Sequence, residues 1–349
     1  MSGCVLVGDI GGTNARFALA RDGVPHRVET LESASYKTLD AALDAYLQGQ
    51  QVSAASLAVA APVSKGMVEL TNSDWSFTKQ GLEAKLRCEV EIVNDFAALA
   101  RAIPFLSAQD YQPIPGKAGS ARQEVAGTIA IIGPGTGLGI ATLIRAGEHW
   151  IDLAGEGGHV TMAPATPEED RLIGILRNHW EHVSAERFLS GAGLVALYEA
   201  CCELRGLIPA KRSAAEITSS ATTPAQDPDA WVSAHAFDVF CAMLGTVASN
   251  LALTVGATGG VYIAGGILRR FPEFLAGSRF RYRFEQKGRM SAYLRDIPTF
   301  LIVNQTPALI GLANWGRARP PAGAAVPATA AVPAAAGSTQ TGGGLTRSG

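Results

Sequence analysis

Residues 5–20, "VLVGDIGGTNARFALA", decide the fold of this chain. They read as an apolar strand, a turn around two glycines and a second apolar strand, which predicts a β-hairpin. The turn also carries the Asp9 carboxylate, the Thr13 hydroxyl and the Asn14 amide. Glycine lets the backbone approach an anion closely, and backbone N–H groups and a hydroxyl donate hydrogen bonds to phosphate oxygens. The turn is therefore a candidate phosphate site, with a plain hairpin turn as the alternative for this stretch taken alone.

A second stretch repeats this pattern. Residues 128–144, "TIAIIGPGTGLGIATLI", again read as strand, glycine turn and strand. The turn holds Thr136 between Gly135 and Gly137, with Gly133 just before it. Two such hairpins predict a duplicated α/β architecture with a site between its halves. A third glycine pair, in "VYIAGGILRRF", is predicted to close a strand and open a helix.

Two common phosphate motifs are excluded by their spacing. A P-loop needs a glycine followed by Lys-Ser or Lys-Thr, and the sequence has none. A dinucleotide fingerprint needs GxGxxG ahead of a helix, whereas the glycines of "GPGTGLG" alternate and precede a strand. We therefore interpret the hairpins as two sides of a phosphate cradle. Asp9 would repel phosphate, so it is predicted to hold a hydrated Mg²⁺ ion between them.

Several polar side chains lie where packing does not require them. Asn94 and Asp95 follow the apolar strand "VEIV", at the end of a strand where α/β sheets bind ligands. Glu156 and His159 lie in the glycine-rich "GEGGHV", and Glu186 lies in "AERFLSG". The local alternatives are a helix cap formed by the aspartate, a mobile surface loop and a solvated glutamate. Taken together, carboxylates and an imidazole suit vicinal hydroxyls, so the predicted ligands are a nucleoside triphosphate and a polyhydroxy compound.

The composition limits the classes of partner. The chain has 349 residues and a formal net charge of −2 without a stripe of Lys or Arg, which argues against nucleic-acid binding. The N-terminus lacks the basic segment of a signal peptide. The uncharged residues 239–257 carry a helical apolar stripe and are predicted to form a buried helix rather than a membrane span. Five cysteines without metal-binding spacing predict packed thiols in a reducing compartment, so we expect a cytoplasmic protein that does not bind membranes.

The motifs resemble those of a known family. The passages are "GDIGGTNARFAL", "LTNSDW", "IVNDFAALA", "GPGTGLG", "GEGGHV", "AERFLSGAGLVALY" and "AGGI". Their order is similar to that in the bacterial glucokinases of the non-ROK type, within the hexokinase/Hsp70/actin superfamily. The resemblance implies a two-lobed, duplicated ribonuclease-H-like (actin-like ATPase) fold with a cleft between the lobes. The expected division is a small α/β lobe of residues 1–105 plus 304–318, a large α/β lobe of 106–303 and a disordered Ala/Pro/Gly-rich tail of 319–349.

The same resemblance implies a reaction and its residues. The expected activity is ATP-dependent phosphorylation of glucose at O6, which feeds glycolysis, with Asp95 as the general base and with Mg²⁺. The residues expected to hold sugar hydroxyls are Asn94, Glu156, His159 and Glu186. The residues expected to bind the nucleotide are Gly8, Asp9, Ile10, Gly11, Gly12, Thr13, Gly133, Gly135, Thr136, Gly137, Gly265 and Gly266. The expected assembly is a homodimer.

Three other functions remain as alternatives from the sequence. A kinase for another hexose would keep the hairpins and Asp95 and differ in the hydroxyls that it reads. A sugar-sensing regulator would bind without turnover, but the chain lacks an N-terminal DNA-binding extension and keeps Asp95. An ATP-driven chaperone or filament protein of the superfamily would not need the sugar-reading residues.

Overall fold

The computed structural model describes residues 3–61, 67–70, 75–116, 127–223 and 228–318. The described chain is a mixed α/β structure, as the alternation of strands and helices predicts. The tail predicted to be disordered, residues 319–349, lies outside the described residues, and so do residues 71–74 of the "LTNSDW" passage.

The strands and helices follow in chain order. The strands are β1 (Val5–Ile10), β2 (Asn14–Arg21), β3 (Val24–Glu32), β4 (Ala54–Val59), β5 (Met67–Glu69), β6 (Ser76–Thr78), β7 (Glu89–Asn94), β8 (Tyr111–Pro113), β9 (Ile129–Pro134), β10 (Leu138–Ala146), β11 (His149–Gly155), β12 (Val261–Ile263) and β13 (Thr299–Ile302). The helices are α1 (Leu39–Leu47), α2 (Lys79–Leu86), α3 (Asp95–Ala102), α4 (Pro167–Arg177), α5 (Gly191–Glu203), α6 (Ala214–Thr222), α7 (Pro228–Val255), α8 (Pro272–Gly277), α9 (Phe280–Glu285), α10 (Ser291–Arg295) and α11 (Pro307–Ala318).

Two large sheets share one pattern. The first has the order β3-β2-β1-β4-β7, in which β1, β2 and β3 are antiparallel and β4 and β7 run parallel to β1. The second has the order β11-β10-β9-β12-β13-β8, in which β9, β10 and β11 are antiparallel and β12 and β13 run parallel to β9. The second sheet therefore repeats the first, with β8 added antiparallel at its edge. Both predicted hairpins, β1–β2 and β9–β10, are present.

Helices α3 and α11 connect the sheets. α3 follows β7 directly and packs against strands of both sheets, and α11 packs on α3 and on strands of the first sheet. Gly311 of α11 faces the α3 backbone so closely that a Cβ atom there would lie 2.4 Å from the Ala98 carbonyl oxygen. The last described helix thus returns to the beginning of the chain and holds the helix that starts at Asp95.

The long apolar helix is a core helix. Residues Ala230–Val255 of α7 are long and apolar enough to cross a membrane, but 78% of an 18-residue apolar window within them is buried inside the protein. Its buried face includes Phe237, Phe240 and Leu244, which belong to the largest hydrophobic cluster. The prediction of an interior helix for residues 239–257 is therefore confirmed.

The five cysteines carry free thiols. Cys201, Cys202 and Cys241 are buried, and Cys4 and Cys88 are half-buried. Burial raises the pKa of the Cys201 thiol to about 12, so it stays protonated and packs as a small apolar group.

Candidate active site

One cleft brings the predicted site residues together. It has a volume of about 840 Å³ and is lined by residues that follow or belong to strands of both large sheets. The predicted residues that line it are Asp9, Gly11, Gly12, Thr13, Asn94, Asp95, Gly133, Gly135, Thr136, Gly137, Glu156, His159, Glu186, Gly265 and Gly266. A cleft of this size fits a nucleotide and a sugar side by side.

Gly8 and Ile10 are not part of the cleft lining. Gly8 lies within β1 between Phe17 and Leu57, and a Cβ atom there would approach the Leu57 side chain to 2.8 Å. Ile10 is fully buried in the core of the first sheet. We predicted both as nucleotide-binding residues; the structure gives their side-chain positions a packing role, and nucleotide binding by them stays a prediction.

Asp95 is the first residue of α3, directly after β7. Its Oδ1 accepts a hydrogen bond from the Phe96 N–H at 2.9 Å. The pKa of the Asp95 carboxyl is raised to about 6, mainly by burial, while the Phe96 N–H opposes the shift and the negative charges of Asp9 and Glu156 add to it. A carboxyl with this pKa is mostly ionised at neutral pH and is a stronger base than an exposed aspartate, so it suits general base catalysis.

The helix cap is Asn94 rather than Asp95. The Asn94 side chain accepts hydrogen bonds from the N–H groups of Phe96 at 2.9 Å and Ala97 at 3.4 Å. The alternative in which the aspartate caps the helix is therefore wrong. Because the capping acceptors are the Asn94 Oδ1 lone pairs, the Asp95 carboxylate keeps capacity to accept a bond from a ligand.

Asp9 and Arg16 form an ion pair on the first hairpin. They are directly opposite each other in the β1–β2 register, and Arg16 Nη1 lies 3.4 Å from Asp9 Oδ2. Burial raises the pKa of Asp9, and the Arg16 guanidinium opposes that shift. A cationic neighbour therefore favours the charged form of the Asp9 carboxyl in the cleft wall.

Glu156 and His159 reach into the cleft from a turn after β11. The turn, Gly157–His159, is a single 3-10 turn, and Glu156 precedes it. The Glu156 Oε2 and His159 Nε2 atoms are 3.9 Å apart, and the two side chains are 80% and 59% exposed. That exposure leaves both available to a ligand. Gly158 lets this turn lie against β10, because a Cβ atom there would be 2.1 Å from the Leu138 carbonyl oxygen.

Glu186 contacts the second hairpin. It lies in a 3-10 turn, residues Ala185–Arg187, and is half-buried rather than solvated on a helix. Its Oε2 accepts a hydrogen bond from the Leu138 N–H at 2.9 Å. A Cβ atom at Gly137 would lie 2.5 Å from the same oxygen. One carboxylate therefore touches the second hairpin and lines the cleft.

Two glycines of the second hairpin also have a packing role, and the predicted nucleotide binding stays a prediction. Among the predicted site glycines, all within the described ranges, only Gly265 has a left-handed φ, of +95°. Gly133 and Gly139 instead leave room for the Phe96 ring, which would lie 2.8 Å and 1.9 Å from Cβ atoms at those positions. The ring of the residue after Asp95 therefore lies directly on the hairpin.

Several residues that line the cleft were not predicted as site residues, and four of the polar ones bear on its charge and hydrogen bonding. They are Arg16, Arg269, Asn304 and Gln305. The sequence does contain a signal for Arg16, because a hairpin with the turn "GGTN" places Arg16 directly opposite Asp9. It contains no such signal for Arg269, which lies in a 3-10 turn, Leu268–Arg270, where a helix was expected directly after Gly266. Its Nη1 donates to the Asn304 carbonyl at 3.2 Å.

Comparison with known proteins identifies the family of the chain. Residues 6–319 match the family model Glucokinase. A relative named glucokinase from Nitrobacter hamburgensis is 49% identical over 319 residues, covering 90% of this chain and 97% of that protein. Another from Aromatoleum aromaticum is 46% identical, covering 88% of this chain and 93% of that protein. The crystal structure of a glucokinase from an Antarctic psychrotroph is 37% identical with a TM-score of 0.80, covering 90% and 99% of the two chains. The chain belongs to the glucokinase family.

Proposed function

We propose that this chain transfers the terminal phosphoryl group of ATP to O6 of D-glucose, giving glucose 6-phosphate and ADP. The observation that carries the proposal is the position of Asp95. Its carboxyl, with a pKa of about 6, lies in the same cleft as both glycine hairpins and the three polar residues Glu156, His159 and Glu186. A base therefore lies between candidate binding groups for the phosphoryl donor and for the acceptor.

Sugar hydroxyls would bind at the end of the cleft that holds Glu156, His159, Glu186 and Asn94. Carboxylates accept from hydroxyls, and the imidazole donates to them or accepts from them. The Asn94 side chain would donate through its NH2 group, because its Oδ1 already accepts from two backbone N–H groups. Glu186 uses one oxygen on the Leu138 N–H, which leaves its other oxygen for a hydroxyl. Such bonds to charged groups are short and directional, so they distinguish the hydroxyl pattern of one hexose from that of another.

The nucleotide would bind along the two hairpins. Gly11, Gly12 and Thr13 line one side of the cleft, and Thr136 lines the other. Their N–H and hydroxyl groups would donate to phosphate oxygens and offset the charge on the transferring group. Gly265 and Gly266 would lie against the adenosine end, since both are at the cleft wall after β12.

The donor set fits a magnesium ion that reaches the protein with the nucleotide. In the part of the chain that the structure describes, no three His, Cys, Asp or Glu side chains form a metal cluster. Mg²⁺ characteristically keeps several waters and binds one or two carboxylates plus substrate phosphates. Asp9, half-buried on the cleft wall, would hold the hydrated ion, which supplies charge neutralisation to the phosphates.

Asp95 acts mainly by alignment and late proton acceptance. A sugar hydroxyl is too weak an acid to ionise early, so the Asp95 carboxylate orients it by accepting its hydrogen bond and takes the proton as the O–P bond forms. Because water resembles that hydroxyl chemically, selectivity requires a site that is complete only when sugar is bound. We propose that the two sheets are the cores of two lobes, residues 1–105 plus 304–318 and residues 106–303, that close on the sugar.

Release of ADP tests the proposal. Purified protein with MgATP is assayed against glucose, mannose, fructose and a no-sugar control. We expect turnover with glucose that exceeds the no-sugar rate by at least about a thousandfold, because water lacks the contacts that complete the site. Faster turnover with another hexose would reassign the substrate. No turnover with any hexose, together with sugar binding, would favour the sensing regulator.

The rate should depend on pH through Asp95. An acid whose pKa is raised to about 6 is protonated below that pH and cannot accept the hydroxyl proton, so the active form is lost as the pH falls. We expect kcat/KM for glucose to rise from about pH 5, with a midpoint near 6, and to be flat above about pH 7. Initial rates at saturating MgATP measure the profile. A midpoint near 4 would contradict the raised pKa.

The remaining expectations stand as parts of the same proposal. A kinase that supplies glucose 6-phosphate to glycolysis works in the cytoplasm, and the described thiols are free, in keeping with a reducing compartment. We propose a homodimer, which light scattering of the purified protein would test.

A further inference from the structure

Arg16 and Arg269 bring two positive charges to one region of the cleft. Arg16 comes from β2 of the first sheet, and Arg269 comes from the 3-10 turn after β12 of the second. Both line the cleft, as do the hairpin residues Gly11, Gly12 and Thr13. Burial lowers the pKa of Arg269, and the positive charges of Arg16 and Arg270 also lower it, so the Arg16 and Arg269 guanidinium groups interact. Two cations facing one space repel each other, and a multiply charged anion between them would remove that repulsion.

The positive charges of Arg16 and Arg269 are only weakly paired with carboxylates of the protein. The contact of Arg16 with Asp9 is 3.4 Å, longer than the about 2.7–2.9 Å of a strong charge-assisted hydrogen bond. Within the described ranges, no carboxylate forms an ion pair with Arg269, whose partner is the neutral carbonyl of Asn304 at 3.2 Å. Arg283 offers a contrast, because it meets both oxygens of Glu169 at 2.7 Å and 3.1 Å. The guanidinium of the structural Arg283 is thus fully paired with a carboxylate, whereas those of Arg16 and Arg269 are not.

We propose that Arg16 and Arg269 clamp the phosphate chain of the nucleotide from opposite sides of the cleft. This inference rests on the proposed function, since it needs ATP in the cleft. On binding, Arg16 exchanges its long contact with Asp9 for phosphate oxygens and leaves that carboxylate to the hydrated cation. Arg269 keeps its backbone contact and turns the rest of its planar group to the phosphates, a geometry that guanidinium groups favour.

The test compares neighbouring arginines. Arg269→Gln is paired with Arg270→Gln, because Arg270 is exposed and does not line the cleft. Arg16→Gln is paired with Arg21→Gln, an exposed position on the same strand. Calorimetry measures the Kd of ADP and of adenosine for each variant. A lost charged hydrogen bond weakens binding about ten- to a hundredfold, so we expect that loss for ADP with Arg16→Gln and Arg269→Gln.

Other readouts separate this role from a general loss of structure. The Kd of adenosine, the KM for glucose and the Tm should each stay close to parental values, within about threefold for the two constants. Arg269→Lys should recover part of the ADP affinity, because it restores the charge without the fork. ADP affinity lost equally in Arg269→Gln and Arg270→Gln would overturn the clamp, and so would an unchanged affinity in the first. A parental protein that neither binds ADP nor turns over glucose would overturn the proposed function itself.

Discussion

Asp95→Asn should lower kcat about a thousandfold and leave the KM for glucose within about threefold of the parental value. Asparagine keeps the shape and an acceptor oxygen, so it still receives the hydroxyl hydrogen bond. It has no basicity at neutral pH, so it does not take the proton as the O–P bond forms. Steady-state rates from coupled ADP detection give both constants.

Two measurements on this variant exclude a folding defect. In the folded protein, burial disfavours the Asp95 charge, which is why its pKa rises to about 6. Replacing that charge by a neutral amide should leave the Tm at pH 8 equal to or above that of the parent. The residual activity should also lose its rise between about pH 5 and pH 7. A kcat within tenfold of the parent, with the pH profile intact, would show that another group accepts the proton.

Gly265→Ala should destabilise the fold by about 3 kcal/mol, which lowers the Tm by roughly 5 °C in a chain of this size. The backbone at Gly265 has φ +95°, which L side chains rarely adopt. A Cβ atom would also lie 2.2 Å from the Pro134 carbonyl oxygen. Since that oxygen belongs to the backbone of β9, it does not move aside as a flexible side chain would. Thermal unfolding followed by circular dichroism gives the Tm.

The neighbouring glycine is the matched control. At Gly266 a Cβ atom would have no heavy atom within 4 Å, and its φ is outside the left-handed region. Gly266→Ala should therefore keep the parental Tm to within about 1 °C. Equal shifts for the two variants would mean that the turn tolerates a side chain at either position.

The parts of the site that depend on neighbouring residues in the chain could be predicted from the sequence. Both hairpins, the strand that ends at Asn94 and the helix that starts at Asp95 are present where apolar runs and turn residues indicate them. Glu156 and Glu186 were predicted because each is a carboxylate close to glycines, and both line the cleft. Their roles in sugar binding stay predictions until binding is measured.

Other features depend on contacts between distant parts of the chain. The glycines at 133 and 139 look like anion-binding glycines in the sequence, but they accommodate Phe96, which lies more than 30 residues earlier. Arg269 is one of several arginines in its region, and only the position of β12 brings it to the cleft. For α7, composition leaves membrane span and core helix both open, and the packing around Phe237 decides between them.

The contact of Phe96 with the second hairpin has a mechanical consequence. Its ring fills the space left by Gly133 and Gly139, and at the other end of the same helix Arg101 Nε lies 3.3 Å from the Asp152 carboxylate of β11. The same guanidinium places its Nη1 3.0 Å from Glu91 Oε1 of β7, so the helix that begins at Asp95 is fastened to both sheets. A closing motion of one sheet relative to the other would therefore turn about an axis close to this helix, and the base would stay in contact with both hairpins while the outer parts of the cleft approach each other.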